Sequence, residues 1–106
     1  MNLRMIGGAL VAVGSTMVAI GAQSLPNVQP KDGYVPSAAT AVAIAEAVLI
    51  PIHGEAAIVA DRPYHATLTD GVWKVRGTLP PDTGGGTAVA MIAKGDGRIV
   101  RVFHEQ

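Results

Sequence analysis

The sequence predicts an α+β fold in which an N-terminal helix and a short second helix pack on a four-stranded antiparallel meander. Three observations support this prediction. An alanine-rich apolar run at 38–50 is flanked by Ser37 and Gly54, which suit the start and the end of one helix. Apolar and polar residues alternate in segments after residue 64, as in half-buried strands. Asp70-Gly71 joins two of these segments, which is typical of a tight hairpin.

The composition limits the chain to one small domain and excludes several kinds of chemistry. It has 106 residues, a formal net charge of zero and no cysteine. Without cysteine there can be no disulfide, no thiolate nucleophile and no cysteine-ligated zinc. The neutral charge argues against general nucleic-acid binding, which relies on an excess of lysine and arginine for phosphate contacts.

Residues 1–24 have the layout of a secretory signal peptide. A short cationic start, MNLR, precedes a stretch without charge from Met5 to Gln23. The alternative is an uncleaved membrane anchor, although the stretch is slightly short for a span and is interrupted by glycines. We expect an exported protein of the periplasm or cell envelope, with a linker at 25–32 and a small α+β domain at 33–106.

The first helix is predicted to begin after Ser37, whose hydroxyl can accept a hydrogen bond from a free amide of the first turn. Pro51 lacks an amide hydrogen and is expected to kink or end the helix. A second short helix is expected at 54–61. Apolar residues lie on nearly all sides of the first helix, which suggests that a curved sheet or a partner surrounds it. The predicted buried face consists of Ala41, Ile44, Ala45, Val48 and Ile52.

Four strands are predicted, and Trp73, the sole tryptophan, is the expected anchor of their core. The third strand has apolar residues on both faces. The fourth is expected to alternate regularly between its two faces. A loop rich in proline and glycine at 79–86 separates the second strand from the third. The strands are expected at 64–69, 72–78, 87–94 and 98–104.

Several groups of residues suggest chemistry, but each has a simpler structural explanation. The three histidines lack the close spacing that is typical of metal ligands, so ordinary surface positions are favoured. The triple glycine at 84–86 precedes a strand and lacks the lysine and the helix of a phosphate-binding loop. Three carboxylates near the helix ends have no spacing that requires a shared cleft. We therefore expect no catalytic, cofactor or metal site. The histidines are His53, His65 and His104, and the carboxylates are Glu46, Glu55 and Asp61.

A protein-binding patch on the sheet is the favoured candidate site. Lys74 and Arg76 lie on one side of the second strand, and Arg98 and Arg101 lie on the other hairpin. Apolar residues of the third strand on the same face would form an apolar centre with a cationic rim, a composition typical of protein interfaces. The predicted partner-binding residues are Lys74, Arg76, Val89, Met91, Arg101 and Phe103.

Three segments carry a family resemblance that covers nearly all of the chain after the leader. They are GYVPSAATAVAIAEAVLIPIHGE, RPYHATLTDGVWKVRGTLP and GGTAVAMIAKGDGRIVRVFH. Together they resemble the immunity proteins of bacterial polymorphic toxin systems that have a nuclear-transport-factor-two-like fold. The resemblance implies a cone-like α+β fold, of the cystatin or nuclear-transport-factor-two-like kind, and a non-enzymatic protein that binds and neutralises a cognate toxin. The third strand departs from the family pattern, because it has Val89 and Met91 where many members have polar residues.

The favoured function is an exported immunity protein whose partner is a cognate protein toxin, without cofactor or nucleic acid. Contact with a membrane is expected only if the leader is uncleaved, and the oligomeric state is left open. One alternative is a small-molecule binder or enzyme of the same fold, with a pocket lined by Tyr64, His65, Trp73 and His104. Another is an envelope module that inhibits peptidases, since such modules share the layout of a helix on a meander.

Overall fold

A computed structural model describes residues 25–81 and 84–105 of the chain. Two helices precede four strands, which pair in the order β1-β2-β3-β4, each antiparallel to its neighbour. The prediction of two helices on a four-stranded meander is confirmed. The predicted leader at 1–24 lies outside the described residues. The elements are α1 (Ala38–His53), α2 (Glu55–Ala60), β1 (His65–Thr69), β2 (Val72–Arg76), β3 (Ala88–Ala93) and β4 (Ile99–His104).

Helix α1 begins at the predicted cap. The Ser37 hydroxyl accepts a hydrogen bond from the Thr40 amide at 3.2 Å, which satisfies one of the free donors of the first turn. The helix continues through Pro51 to His53. Proline leaves the carbonyl four residues earlier without its donor. That carbonyl belongs to Ala47, which is exposed, so the interruption lies on the solvent side of the helix.

The buried face of α1 consists of Ala41, Ala45 and Leu49, which follow one another at four-residue spacing. The predicted face is wrong at Ile52, whose side chain is 57% exposed. Residues 51–54 are all exposed, so the last turn of α1 lies outside the buried core. Leu49 is therefore the last fully buried residue of the helix, and Ile50 after it packs against the core only in part.

The core lies between the helices and one face of the sheet. Trp73 is buried in it and donates its indole N–H to the carbonyl of Val35 at 2.8 Å, so the predicted anchor is confirmed. The core cluster consists of Val35, Ala41, Ala45, Leu49, Ile58, Tyr64, Trp73, Val75, Ala88, Ala90 and Ile92.

The β1–β2 hairpin turns at Asp70-Gly71, as predicted. Both residues have positive φ, 51° at Asp70 and 76° at Gly71, and Thr69 pairs with Val72. Two central residues of positive φ match the right-handed twist of the flanking strands. The hairpin therefore sets the register in which β1 and β2 present alternate side chains to each face.

Strand β4 does not alternate regularly along its whole length. Ile99 pairs with Ile92, whereas Arg101 pairs with Met91, so Val100 is an additional residue in β4. This β-bulge leaves Val100 42% exposed and Ile99 41% exposed. The prediction of simple alternation is therefore wrong at the start of β4 and holds from Arg101 onward.

The segment before α1 is attached to the turn between β3 and β4. The amides of Tyr34 and Val35 donate to the carbonyls of Gly95 and Lys94 at 2.9 and 3.0 Å. The Lys94 ammonium group also donates to the carbonyl of Asp32. The chain therefore passes the β3–β4 turn, at one end of the sheet, before it enters α1. Within residues 25–81 and 84–105, no helix has the length and apolarity needed to cross a membrane.

Candidate partner-binding surface

All six predicted partner-binding residues lie on the face of the sheet opposite the helices, which is called the outer face below. The strand register places them in two adjacent rows across β2, β3 and β4. Cross-strand neighbours in a sheet share a face, so each row is a continuous strip of side chains. The rows are Lys74, Met91 and Arg101, and Arg76, Val89 and Phe103.

Val89 is fully buried although it lies on the outer face. It does not belong to the cluster under the helices. Its cross-strand neighbours are Arg76 and Phe103, whose long side chains have apolar parts that can cover a small residue. Met91, in the adjacent row, is half-buried. The outer face therefore has a partly covered apolar centre and a rim of cationic groups.

Glu105, which sequence reasoning did not include, lies among these cations. Its carboxylate is 3.1 Å from Lys74 Nζ and 2.7 Å from Arg76 Nη2, and its side chain is 22% exposed. The contact with Lys74 is a hydrogen bond, whereas that with Arg76 is an ionic contact without hydrogen-bond alignment. The sequence does indicate which face Glu105 occupies. It follows Phe103 by two residues, and side chains two residues apart along a strand lie on the same face.

Gly86 allows Glu105 to reach this position. A Cβ atom at Gly86 would lie 2.7 Å from Glu105 Cβ and closer still to its carbonyl oxygen. Such distances are shorter than any ordinary van der Waals contact. The Glu105 amide donates to the carbonyl of Thr87 at 2.9 Å, next to this contact. The triple glycine thus has a packing role at Gly86, and it precedes strand β3, as the loop interpretation expects.

Arg101 and Arg98 have different surroundings. The Arg101 guanidinium lies 4.4 Å from the centre of the Phe103 ring, a cation–π contact on the outer face. Arg98 precedes β4 and pairs with Asp96 at 3.3 Å in the hairpin turn. The Arg98 amide also donates to Asp96 Oδ1, and this bond to the carboxylate lowers the pKa of Asp96. Arg98 therefore belongs to the turn, whereas Arg101 belongs to the two rows.

The histidines do not form a metal site of three ligands. His53 and His104 are brought together by the fold, with ring centres 6.2 Å apart in an edge-to-face arrangement. His65 lies on β1, at the other edge of the sheet. Within the part of the chain that the structure describes, no group of three or more His, Cys, Asp or Glu side chains could hold a metal ion.

The carboxylate Glu46 is engaged in an ion pair. Arg62 contacts it through Nη2 at 2.6 Å and through Nε at 3.1 Å. This hydrogen bond to the carboxylate, together with its negative charge, raises the pKa of Arg62. Glu46 therefore joins α1 to the segment after α2.

The four residues proposed for a small-molecule pocket do not converge. Tyr64 and His65 border an open cleft of about 450 Å³ beside the first turns of α1. Trp73 is in the core, and His104 lies on the opposite edge strand. The Tyr64 hydroxyl is buried and has no hydrogen-bond partner among the described residues. Burial raises the pKa of Tyr64, and the negative charges of Asp61 and Glu46 add to the effect.

These features together define a class. The protein is a small α+β domain whose outer face has partly covered apolar residues rimmed by charges, as in proteins that bind other proteins. Comparison with models of protein families identifies the family within this class. The model of a family described as NTF2 fold immunity protein matches residues 40–106, and the chain belongs to that family. Searches of curated proteins and of solved structures each found no match.

Proposed function

We propose that this protein is an exported immunity protein that binds a cognate toxin and neutralises it by direct contact. Membership of an immunity protein family carries the proposal. A binding role also agrees with the scattered positions of Tyr64, Trp73 and His104, which would have to converge to line a pocket. The protein would therefore act by covering the toxin and not by catalysis.

The outer face is the surface that we propose for the toxin. Its accessible apolar side chains are the half-buried Met91 and Phe103, which flank the buried Val89, and its cations project from β2 and β4. The helices cover the other face of the sheet. Aromatic residues, methionine and arginine are enriched at the centre of protein interfaces, and all three residue types occur in these rows.

Residues 1–24 would deliver the domain across the cytoplasmic membrane, because a cationic start and an uncharged stretch are the features of an export signal. Cell fractionation of the full chain and of a chain without residues 2–24 tests this part. The full chain should be found in the periplasm or envelope, and the shortened chain in the cytoplasm. Equal distribution of the two would contradict export.

The main experiment uses the product of the neighbouring gene as the toxin. Purified protein should retain that product in a pull-down, and co-expression should restore growth of cells that produce it. Arg101→Glu on the outer face should weaken both effects. Lys31→Glu is the matched control, because Lys31 is an exposed cation in the segment before α1. Absence of binding and of protection would overturn the proposal, and equal loss in both variants would overturn the assignment of the surface.

A further inference from the structure

We propose that Lys74 and Arg76 form a binding site for an acidic side chain of the partner protein, and that Glu105 occupies this site until the partner displaces it. The proposal rests on the proposed function and adds to it the chemistry of the partner. It also gives Glu105 a role, as a residue of the same chain that occupies the binding site before the partner does.

The site already binds a carboxylate. Glu105 lies within 3.1 Å of Lys74 Nζ and 2.7 Å of Arg76 Nη2, so the two cations are spaced to share one acidic group. An arginine guanidinium presents five N–H donors, and a lysine ammonium presents three. Both cations therefore keep donors with which a second carboxylate can be bound during exchange.

The Glu105 carboxylate does not form all the hydrogen bonds that it could accept in this site. Its Oε1 atom is buried but accepts no hydrogen bond among the described residues, although Arg76 Nη2 is close. The side chains of Lys74 and Arg76 are 40% and 54% exposed, so an incoming carboxylate can reach both cations from solvent. Ion pairs that are this exposed contribute little to stability, so their exchange for intermolecular pairs requires little free energy.

A cleft borders one of the two cations, Arg76, together with Glu105. It has a volume of about 340 Å³ and is bordered by Arg76, Glu105, His65 and Gly86, among others. The half-buried Met91 lies in the row of Lys74, and Phe103 lies in the row of Arg76. A partner that fits this surface presents an aspartate or glutamate flanked by apolar residues. A partner without an acidic group would leave Glu105 paired with both cations, and nothing would then drive its displacement.

The test measures binding of a fluorescein-labelled hexaglutamate peptide by fluorescence anisotropy at low salt. Glu105→Gln keeps the shape of the side chain and removes its charge, so it frees Lys74 and Arg76. We expect it to bind the peptide about 2- to 30-fold more tightly than the wild type, since two exposed ion pairs need not be broken. Glu105→Ala should give a gain in the same direction.

Two further variants serve as controls. Glu55→Gln makes the same change in net charge at an exposed position of α2 and should leave peptide affinity unchanged. Arg76→Gln combined with Glu105→Gln should lose the gain. Circular dichroism melts verify that each variant is folded. Unchanged or weaker peptide binding by both folded Glu105 variants would overturn the proposal, as would tighter binding of a hexathymidylate oligonucleotide than of hexaglutamate.

Toxin binding, measured beside peptide binding, separates this proposal from the proposed function. Tighter peptide binding by Glu105→Gln without any toxin binding by the wild type would support the carboxylate site and refute the proposed function. Toxin binding that Arg101→Glu weakens and Glu105→Gln leaves unchanged would support the proposed function and refute the exchange of Glu105.

Discussion

Gly86→Ala tests whether the triple-glycine loop seats the C-terminal residues. Gly86 is not in the left-handed region of backbone conformation, so alanine introduces no strain of its own there. The added methyl group would lie 2.7 Å from Glu105 Cβ and nearer to the Glu105 carbonyl oxygen. Backbone atoms on both sides limit how the contact can relax, so Glu105 must move away. Its hydrogen bond to Thr87 and its ion pairs are then weakened together.

The size of the effect follows from these contacts. The backbone hydrogen bond from Glu105 to Thr87 contributes about 0.5–1.5 kcal/mol. Each of the two exposed ion pairs contributes about 0.2–1 kcal/mol. Replacing glycine by alanine restricts the unfolded chain, which offsets about 0.4–1 kcal/mol. We expect a net loss of about 1–2 kcal/mol, which lowers the melting temperature of a domain of this size by about 4–16 °C.

Gly84→Ala is the matched control for this measurement. Among the described residues, and apart from its chain neighbours, no heavy atom lies within 4 Å of a Cβ built at Gly84, and its φ is not in the left-handed region. It should therefore melt at the wild-type temperature or slightly above it. Thermal melts by circular dichroism compare the two variants directly. Equal melting temperatures for Gly86→Ala and Gly84→Ala would refute the seating of Glu105 against Gly86.

Three further predictions concern the core, the helix cap and pH. Trp73→Phe should destabilise the fold by about 1–3 kcal/mol in urea unfolding, because the buried Val35 carbonyl loses its donor; an unchanged midpoint would argue against that bond. Ser37→Ala should cost about 0.5–2 kcal/mol in the same assay, because the amide of Thr40 loses its cap, whereas Ser37→Thr should restore most of it. Stability should fall as the pH rises above 10.0, the ordinary tyrosine value, through the raised pKa of Tyr64, because only the unfolded state has then lost that proton. Tyr64→Phe should flatten this dependence in melts across the alkaline range, and an equally steep fall in that variant would contradict it.

The sequence predicted the elements of the fold well because their signals are local. Ser37 caps α1 through an amide three residues away, and Asp70-Gly71 closes a hairpin between adjacent strands. Errors arose where a distant element decides the outcome. Ile52 has the spacing of a buried residue, but the core does not extend to it and it is exposed. Val100 fits a regular alternation, but the pairing of β4 with β3 includes a bulge beside it.

The candidate site was predicted in part. Alternation within β2 indicated that Lys74 and Arg76 share a face. Which residues of β3 and β4 stand beside them depends on strand register, and the register is set across the loop and the bulge. Glu105 is 31 residues from Lys74, and although its alternation with Phe103 indicates a shared face, no local pattern relates its carboxylate to a cation on β2. The sequence therefore indicated a cationic rim, whereas the fold showed that the Glu105 carboxylate pairs with it.

By itself, the sequence determined the order of helices and strands, the hairpin at Asp70-Gly71 and the inward side of Trp73, because propensity, capping and alternation act over a few residues. The tertiary structure decided which of these residues meet. It placed the Val35 carbonyl at the indole N–H of Trp73 and the Glu105 carboxylate beside two cations of β2. Contacts between residues so far apart in the chain form only when the sheet closes in one register, and that choice depends on all four strands together.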